Sequence, residues 1–178
     1  MDIRPATPED SAEWLRMRRA LWPNCSEARH RLEIEQLNAF DGGGTVLVVE
    51  KESGSLCGFA EISIRHDHVD GAESTPIPYL EGWYIDAAFR NQGTGRKLLE
   101  AAERWAASRG FTQLASDAEL ENVGSIRAHL RYGFTETCRE VHFIKRIPTE
   151  RILAGLSGAN SECEIQMPDA PASRIVMG

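Results

Sequence analysis

The segment Arg90-Asn91-Gln92-Gly93-Thr94-Gly95 combines one arginine with two glycines and precedes a stretch with helical spacing. Glycines let backbone N–H groups crowd around an anion, and a helix that begins there adds the partial positive charge of its N-terminus. This arrangement binds a pyrophosphate without lysine side chains. We therefore predict a phosphate-binding loop between a strand and a helix.

Two common nucleotide-binding motifs do not fit this segment. A P-loop needs Gly-Lys-Ser/Thr, whereas Arg96-Lys97-Leu98 follows Gly95. A dinucleotide site needs GxGxxG within βαβ repeats, which this chain lacks. The sequence thus excludes both kinds of nucleotide site at this position.

Local patterns predict the elements that place this loop. Apolar positions with helical spacing follow Gly95, and Gly110 ends that helix as a C-cap. Turn residues 52–55 join two β-rich runs into an antiparallel hairpin. The predicted strands lie near Ile3 and at Thr45–Glu50, Leu56–Arg65, Leu80–Ile85, Thr112–Ser116 and Glu136–Ile147. The predicted helices run from Thr7 to about Leu21, from Ser26 through Phe40, from Thr94 to Gly110 and from Asn122 to Tyr132.

This order of elements predicts a mixed α/β fold. The helix after Gly93 crosses between two strands, and such a crossover makes those strands parallel. The chain of 178 residues is long enough for one domain with its own core. Three prolines and many small residues set residues 148–178 apart as a C-terminal tail.

The overall charge argues against nucleic acid as a partner. There are 27 acidic and 20 basic residues, which give a formal net charge of −7. The resulting field repels phosphate backbones and attracts cations, so a polyamine suits it well.

The sequence also predicts a cytoplasmic protein that makes no contact with a membrane. Its charged start lacks an apolar signal core, and no run of about 18 apolar residues occurs. The four cysteines are widely spaced without a CxxC pair, which indicates reduced thiols rather than a disulfide framework or a zinc site.

The phosphate-loop motif resembles the signature Q/R-x-x-G-x-G/A of the GNAT acetyltransferases, with Arg90, Gly93 and Gly95 in the matching places. Asn122 is placed like the asparagine that opens the next helix in that family. Tyr132-Gly133-Phe134 is similar to the family's terminal L-G-F. The resemblance covers residues 1–147 as one acetyltransferase domain and leaves out 148–178. It implies the GNAT fold, a mixed central sheet with flanking helices.

A narrower resemblance links the chain to the aminoglycoside 6′-N-acetyltransferases that inactivate antibiotics. Five segments match that family in order: Leu21-Trp22-Pro23, Ser63-Ile64-Arg65-His66-Asp67, Leu80-Glu81-Gly82, Ala115-Ser116-Asp117 and Glu121-Asn122. The resemblance implies acetyl transfer from acetyl-CoA to the 6′-amine of an aminoglycoside, by direct attack in a ternary complex. It also implies a homodimer.

The resemblance places the active-site carboxylates at Glu81 and Asp117. An attacking amine must be neutral, so a carboxylate or a water relay has to take its proton. Either residue can do this, and Asp117 can instead hold the cationic sugar. His129 stands where many relatives carry a tyrosine that reprotonates the departing thiolate, so it is a candidate general acid. A helix-surface histidine without a role is an equal alternative.

The remaining site residues come partly from this resemblance and partly from the chemistry of acyl transfer to a cationic substrate. A strand N–H of Tyr84 or Ile85 can stabilise negative charge on the acetyl oxygen. Trp22 forms a substrate wall by stacking or cation–π contact, with core packing as the alternative. The predicted acetyl-CoA contacts are Tyr84, Ile85, Arg90, Asn91, Gln92, Gly93, Thr94, Gly95, Arg96 and Asn122. The predicted substrate contacts are Trp22, Asp67, Glu81 and Asp117.

No metal is expected in this site. His66, Asp67, His68 and Asp70 resemble a metal cluster in type, but acyl transfer to an amine needs no metal and the run is predicted as an exposed loop. Two other functions remain open. One is a GNAT enzyme for a polyamine, a small metabolite amine or a protein N-terminus. The other is an idle coenzyme A-binding sensor, which the presence of both carboxylates argues against.

Overall fold

The computed structural model describes residues 1–39 and 43–146. Met1–Cys138 belongs to the first of two compact units, and the second begins at Arg139. The predicted tail 148–178 and the ends of two predicted elements, Phe40 and Ile147, lie outside the described residues.

The first unit is built on a mixed sheet of five strands in sequential order. The strands are β1 (Asp2–Pro5), β2 (Thr45–Glu50), β3 (Leu56–Arg65), β4 (Ile77–Ile85) and β5 (Ala115–Ser116). The first three pairings are antiparallel, as the hairpin prediction requires for β2 and β3. The pairing of β4 with β5 is parallel, which confirms the predicted crossover.

Within residues 1–39 and 43–146, four α-helices flank the sheet: α1 (Ser11–Leu21), α2 (Glu27–Ala39), α3 (Thr94–Ser108) and α4 (Val123–Arg131). One core cluster holds Leu98, Leu99 and Ala102 of α3 against the strands. A second cluster holds Trp14, Met17 and other residues of α1 against Val48 and Phe59 of β2 and β3. The sheet therefore has a helix-covered core on each face, and the fold class predicted from the sequence is confirmed.

The helix starts follow from local chemistry. The carboxylate of Asp10 accepts the N–H of Thr7 at 2.8 Å, and Pro8 lies between them in a short 3₁₀ turn that leads into α1. Later in the chain, Asn122 caps α4 by accepting the N–H of Ser125 at 3.0 Å. No helix in the described ranges is long and apolar enough to cross a membrane.

The prediction of a final strand at Glu136–Ile147 is wrong for the described residues. Residues 135–146 form no helix or strand, and Val141, Phe143 and Ile144 are 71%, 93% and 99% exposed. The β-branched and aromatic residues of this segment indicate strand propensity, but a strand also needs a neighbour for its backbone hydrogen bonds. No such neighbour pairs with this segment among the described residues.

Candidate active site

Glu81 sits in a β-bulge of β4. Glu61 of β3 is paired with Gly82, and the next residue, Ile62, is paired with Leu80, so Glu81 is the extra residue. A bulge interrupts the strict alternation of a strand and re-aims side chains. Gly82 faces the side of the sheet covered by α1, where an added Cβ would meet the Trp22 ring. The bulge lets Glu81 join the side chains on that same face.

The Glu81 carboxylate is held by two residues of β3. Ser63 Oγ donates to its Oε1 at 2.6 Å. Arg65 donates from Nε to Oε1 at 2.9 Å and from one terminal nitrogen to Oε2 at 2.7 Å. Ser63 and Arg65 are two positions apart in a strand, so they share one face. The ion pair is half-buried, with about a quarter of each side chain exposed: 26% for Arg65 and 28% for Glu81.

Tyr79 connects this pair to the second predicted carboxylate. The Arg65 guanidinium carbon lies 3.3 Å from the centre of the Tyr79 ring. The Tyr79 hydroxyl donates to Asp117 Oδ1 at 2.9 Å. Burial, together with the negative charge of Asp117, raises the pKa of Tyr79, so the phenol stays protonated and donates. Glu81 and Asp117 are thus parts of one connected polar cluster.

Trp22 lies beside this cluster at the corner between α1 and α2. Its indole replaces the missing side chain of Gly82, because a Cβ there would be 2.7 Å and 2.9 Å from two ring carbons. Trp22 is 5% exposed and stacks 6.4 Å from His30. The alternative of core packing therefore describes nearly the whole surface of this side chain.

A buried arginine supports the Trp22 ring from behind. The Arg18 guanidinium is 4.6 Å from the ring centre of Trp22 and donates to Glu61 Oε1 at 2.7 Å. It also pairs with Glu33 of α2, and Trp14 Nε1 donates to the same Glu61 oxygen at 2.7 Å. Arg18 and Glu61 are 4% and 5% exposed. Removing one partner of such a buried pair leaves a charge uncompensated, and this lowers the free energy of unfolding by about 3–5 kcal/mol.

The predicted phosphate loop has the expected backbone form. Asn91 and Gly93 adopt positive φ angles of 57° and 81°, and Gly93 caps α3. The first N–H groups of a helix have no partner within it, so those at the start of α3 face outward as donors. The side chains are engaged elsewhere: Arg90 Nε donates to the Ile85 carbonyl and Gln92 donates to the Ala88 carbonyl, both at 2.8 Å.

Of the two predicted strand donors, the geometry favours Ile85. In an antiparallel pair of strands, the backbone N–H groups of successive residues point alternately toward the partner strand and away from it. Asp86 N–H donates to the Cys57 carbonyl at 2.8 Å, so Tyr84 turns its N–H toward β3 and Ile85 turns away from it. In the described part of the chain, β5 covers that other edge only at Tyr79 and Leu80.

His129 is buried, and both of its ring nitrogens face protein groups. Nδ1 lies 2.8 Å from the Ser125 carbonyl, to which it donates, and Nε2 lies 3.1 Å from Ser116 Oγ. The ring also packs edge-on against Trp83 and Phe134. Burial lowers its pKa, so the imidazole is neutral near pH 7 and its proton is committed to Ser125. This arrangement supports packing better than proton donation.

The structure brings some predicted residues together and leaves others apart. Glu81, Asp117 and Trp22 lie in or beside the polar cluster described above. Asp67 lies with His66 and His68 in the exposed loop after β3. Sequence reasoning gave no role to Arg65 and Tyr79, although Arg65 belongs to one of the five matching segments. The signal for the bulge was Gly82, since glycine inside a strand often marks one.

The strand that carries Glu81 leads into the predicted phosphate loop, and the sequence that contains both also matches a known protein family. The model of the acetyltransferase (GNAT) family matches residues 13–134. The chain belongs to the GNAT acetyltransferase family. The match spans α1 through the end of α4 and thus includes the loop, both carboxylates and the buried arginine network.

Within the GNAT family, the chain is similar to several aminoglycoside 6′-N-acetyltransferases. An aminoglycoside N(6′)-acetyltransferase type 1 from Stenotrophomonas maltophilia is 41% identical over 148 residues, 83% of this chain and 94% of that protein. The crystal structure of AAC(6′)-IG from Acinetobacter haemolyticus is 38% identical with a TM-score of 0.76, covering 83% of this chain and 99% of the other. AAC(6′)-Iy, solved in complex with the bisubstrate analogue CoA-S-monomethyl-acetylneamine, is 34% identical with a TM-score of 0.76, covering 82% and 98%.

Proposed function

We propose that this GNAT acetyltransferase transfers acetyl from acetyl-CoA to the 6′-amine of aminoglycoside antibiotics and thereby confers resistance. The cluster of Glu81 and Asp117, joined through Arg65 and Tyr79 on strands of which one leads to the phosphate loop, is the observation that carries this proposal. Similarity to enzymes named for 6′-acetylation supports the choice of amine.

The predicted phosphate loop, residues Arg90–Gly95, fits the pyrophosphate of coenzyme A. No atom lies within 4 Å of the place where Gly93 would carry a Cβ, so the loop surface is open there. Residues Arg90–Gly95 and the first N–H groups of α3 would hold the pyrophosphate, largely through the backbone. Bound acetyl-CoA supplies the acetyl group as a thioester. The outward-turned N–H of Ile85 is our candidate for stabilising negative charge on the acetyl oxygen.

We assign proton acceptance to Glu81 and cation binding to Asp117. A carboxylate offers about four lone-pair sites, and Glu81 accepts three hydrogen bonds from Ser63 and Arg65, so Oε2 keeps room for an amine. Asp117 is fixed by Tyr79 and can pair with a second ammonium of the antibiotic. The net charge of −7 favours the approach of such a polycation. His129 is left out of this proton path because its proton is committed to Ser125.

Direct attack is favoured over an acetyl-enzyme. A cysteine nucleophile works as the thiolate, and burial raises the pKa of Cys57 and of Cys25. Cys25 and Cys57 are free thiols, as a reducing compartment favours, and we propose a cytoplasmic location.

Thiol release from acetyl-CoA should test the proposed function. We expect turnover with kanamycin and much slower turnover with its 6′-hydroxyl analogue, with spermidine and with a peptide. NMR of the product should place the acetyl group on the 6′-nitrogen. Equal rates with the 6′-hydroxyl analogue, or acetylation of a 2-deoxystreptamine amine, would contradict the proposal.

We further propose that the enzyme is a homodimer, as its family resemblance implies. Within the second unit, the large apolar side chains Val141, Phe143 and Ile144 are exposed and offer an apolar contact to another subunit. Sedimentation of the full chain should give twice the monomer mass of 19.8 kDa. A monomer at micromolar concentration would contradict the dimer and leave the proposed chemistry untouched.

A further inference from the structure

Arg65 bonds Glu81 directly and reaches Asp117 through Tyr79. Its guanidinium bonds both oxygens of Glu81, and its flat face lies over the ring of Tyr79, whose hydroxyl holds Asp117. The side chain is 26% exposed, so water screens it only in part. These contacts of the guanidinium therefore lead to the two proposed active-site carboxylates.

We propose that Arg65 is a positioning residue for acetyl transfer: it orients Glu81 toward the attacking amine and fixes Glu81 relative to Asp117. This inference rests on the proposed function of the two carboxylates. Arg65 and Ser63 together occupy three lone-pair positions of Glu81, and the remaining one is on Oε2. These three bonds favour one orientation of the carboxylate and therefore one direction for this last lone pair.

The shape of the guanidinium explains why an arginine occupies this place. Its planar fork matches both oxygens of a carboxylate, and its face stacks on an aromatic ring. A lysine ammonium would keep the positive charge, but it would give one contact in place of the fork and would lose the planar stacking. The guanidinium packs against the Tyr79 ring, and the hydroxyl of this tyrosine donates to Asp117 at 2.9 Å.

Arg65→Lys should separate this role from a purely electrostatic one. We expect kcat with an aminoglycoside to fall about 10- to 100-fold, since misplacing a catalytic group by an ångström costs up to about that much. The KM for the aminoglycoside should change less than about threefold, because the charge is kept and Asp117 remains. A lower KM with unchanged kcat would mean that Arg65 merely competes with substrate ammonium groups, and it would overturn the proposal.

A double-mutant cycle with Glu81→Gln shows whether Arg65 acts through Glu81. In the Glu81→Gln background, Arg65→Lys should have no further effect on kcat, because the group that it orients no longer takes the proton. Equal effects of Arg65→Lys in both backgrounds would overturn the inference. If Glu81→Gln alone left kcat unchanged, the proposed function of Glu81 would fail instead, so the two failures are distinguishable.

Chemical rescue of kcat by a small cation distinguishes a positioning role from a merely structural one. The truncated variant Arg65→Ala should regain kcat on addition of methylguanidinium, but not of methylammonium at the same concentration. Acetyl-CoA affinity and the melting curve should be recorded for each variant, so that folded protein is compared with folded protein. Rescue by both cations alike, or by neither in a folded variant, would contradict the positioning role.

Discussion

Replacing Glu81 with glutamine is expected to lower kcat for an aminoglycoside by about 100-fold or more, the usual contribution of a positioned proton acceptor. This corresponds to roughly 2.7 kcal/mol of transition-state stabilisation. Glutamine has nearly the same shape as glutamate and can still accept a hydrogen bond from Ser63 or Arg65, but it cannot take a proton from the amine. Initial rates at saturating acetyl-CoA measure the effect.

The control for this experiment is Glu35→Gln, which removes the same charge from an exposed position of α2. Because that change only weakens the general negative field, kcat should stay within about twofold of the wild type. Calorimetry should find the affinity for acetyl-CoA unchanged in both variants. Comparable losses in the two variants would mean that net charge, rather than proton transfer at Glu81, limits the reaction.

Replacing Gly93 with valine is expected to weaken acetyl-CoA binding by about 10- to 100-fold, equivalent to losing one hydrogen bond to a charged group. Gly93 has φ +81°, a conformation that a β-branched residue resists. Valine would thus distort the turn and also fill the open surface that faces the proposed pyrophosphate. The dissociation constant from calorimetry measures this loss, and Lys97→Gln should change it far less.

The matched control for Gly93→Val is Gly110→Val at the opposite end of α3. Gly110 has φ +84° and likewise has no atom within 4 Å of an added Cβ. The backbone strain and the loss of stability should therefore be similar in the two variants, while only Gly93→Val should lose affinity for acetyl-CoA. Equal affinity of both variants would remove the backbone loop from the cofactor site.

The elements that place the loop could be predicted because their signals are local. β2 and β3 have the bounds expected from their β-branched runs, and α3 begins at the expected residue, after the expected glycine. Turn chemistry, capping and helical spacing each act over a few neighbouring residues, so the sequence records them directly. β4 is longer than predicted, from Ile77 rather than Leu80, because its first residues gain a neighbour only in the folded sheet.

The contacts within the polar cluster could not be predicted in the same way. The bonds of Glu81 to Ser63 and Arg65 depend on the register of β3 against β4 and on a bulge that shifts it by one residue. The register of two strands depends on how both of them pack in the sheet, so it cannot be predicted from the sequence of β3 or of β4 alone. The resemblance named the two carboxylates, but only the folded sheet shows that Arg65 and Tyr79 join them.

The contact between Trp22 and Gly82 also determines how closely the corner between α1 and α2 can approach β4. An indole edge and a bare backbone meet there without an intervening side chain, so any larger residue at position 82 would have to displace the ring. The opposite course is resisted as well, because Arg18 lies over the same ring and is bonded to Glu61 of β3 and to Glu33 of α2. The indole is therefore clamped between a strand backbone and a buried ion pair, and the strand segment that carries Glu81 has a rigid support on this side.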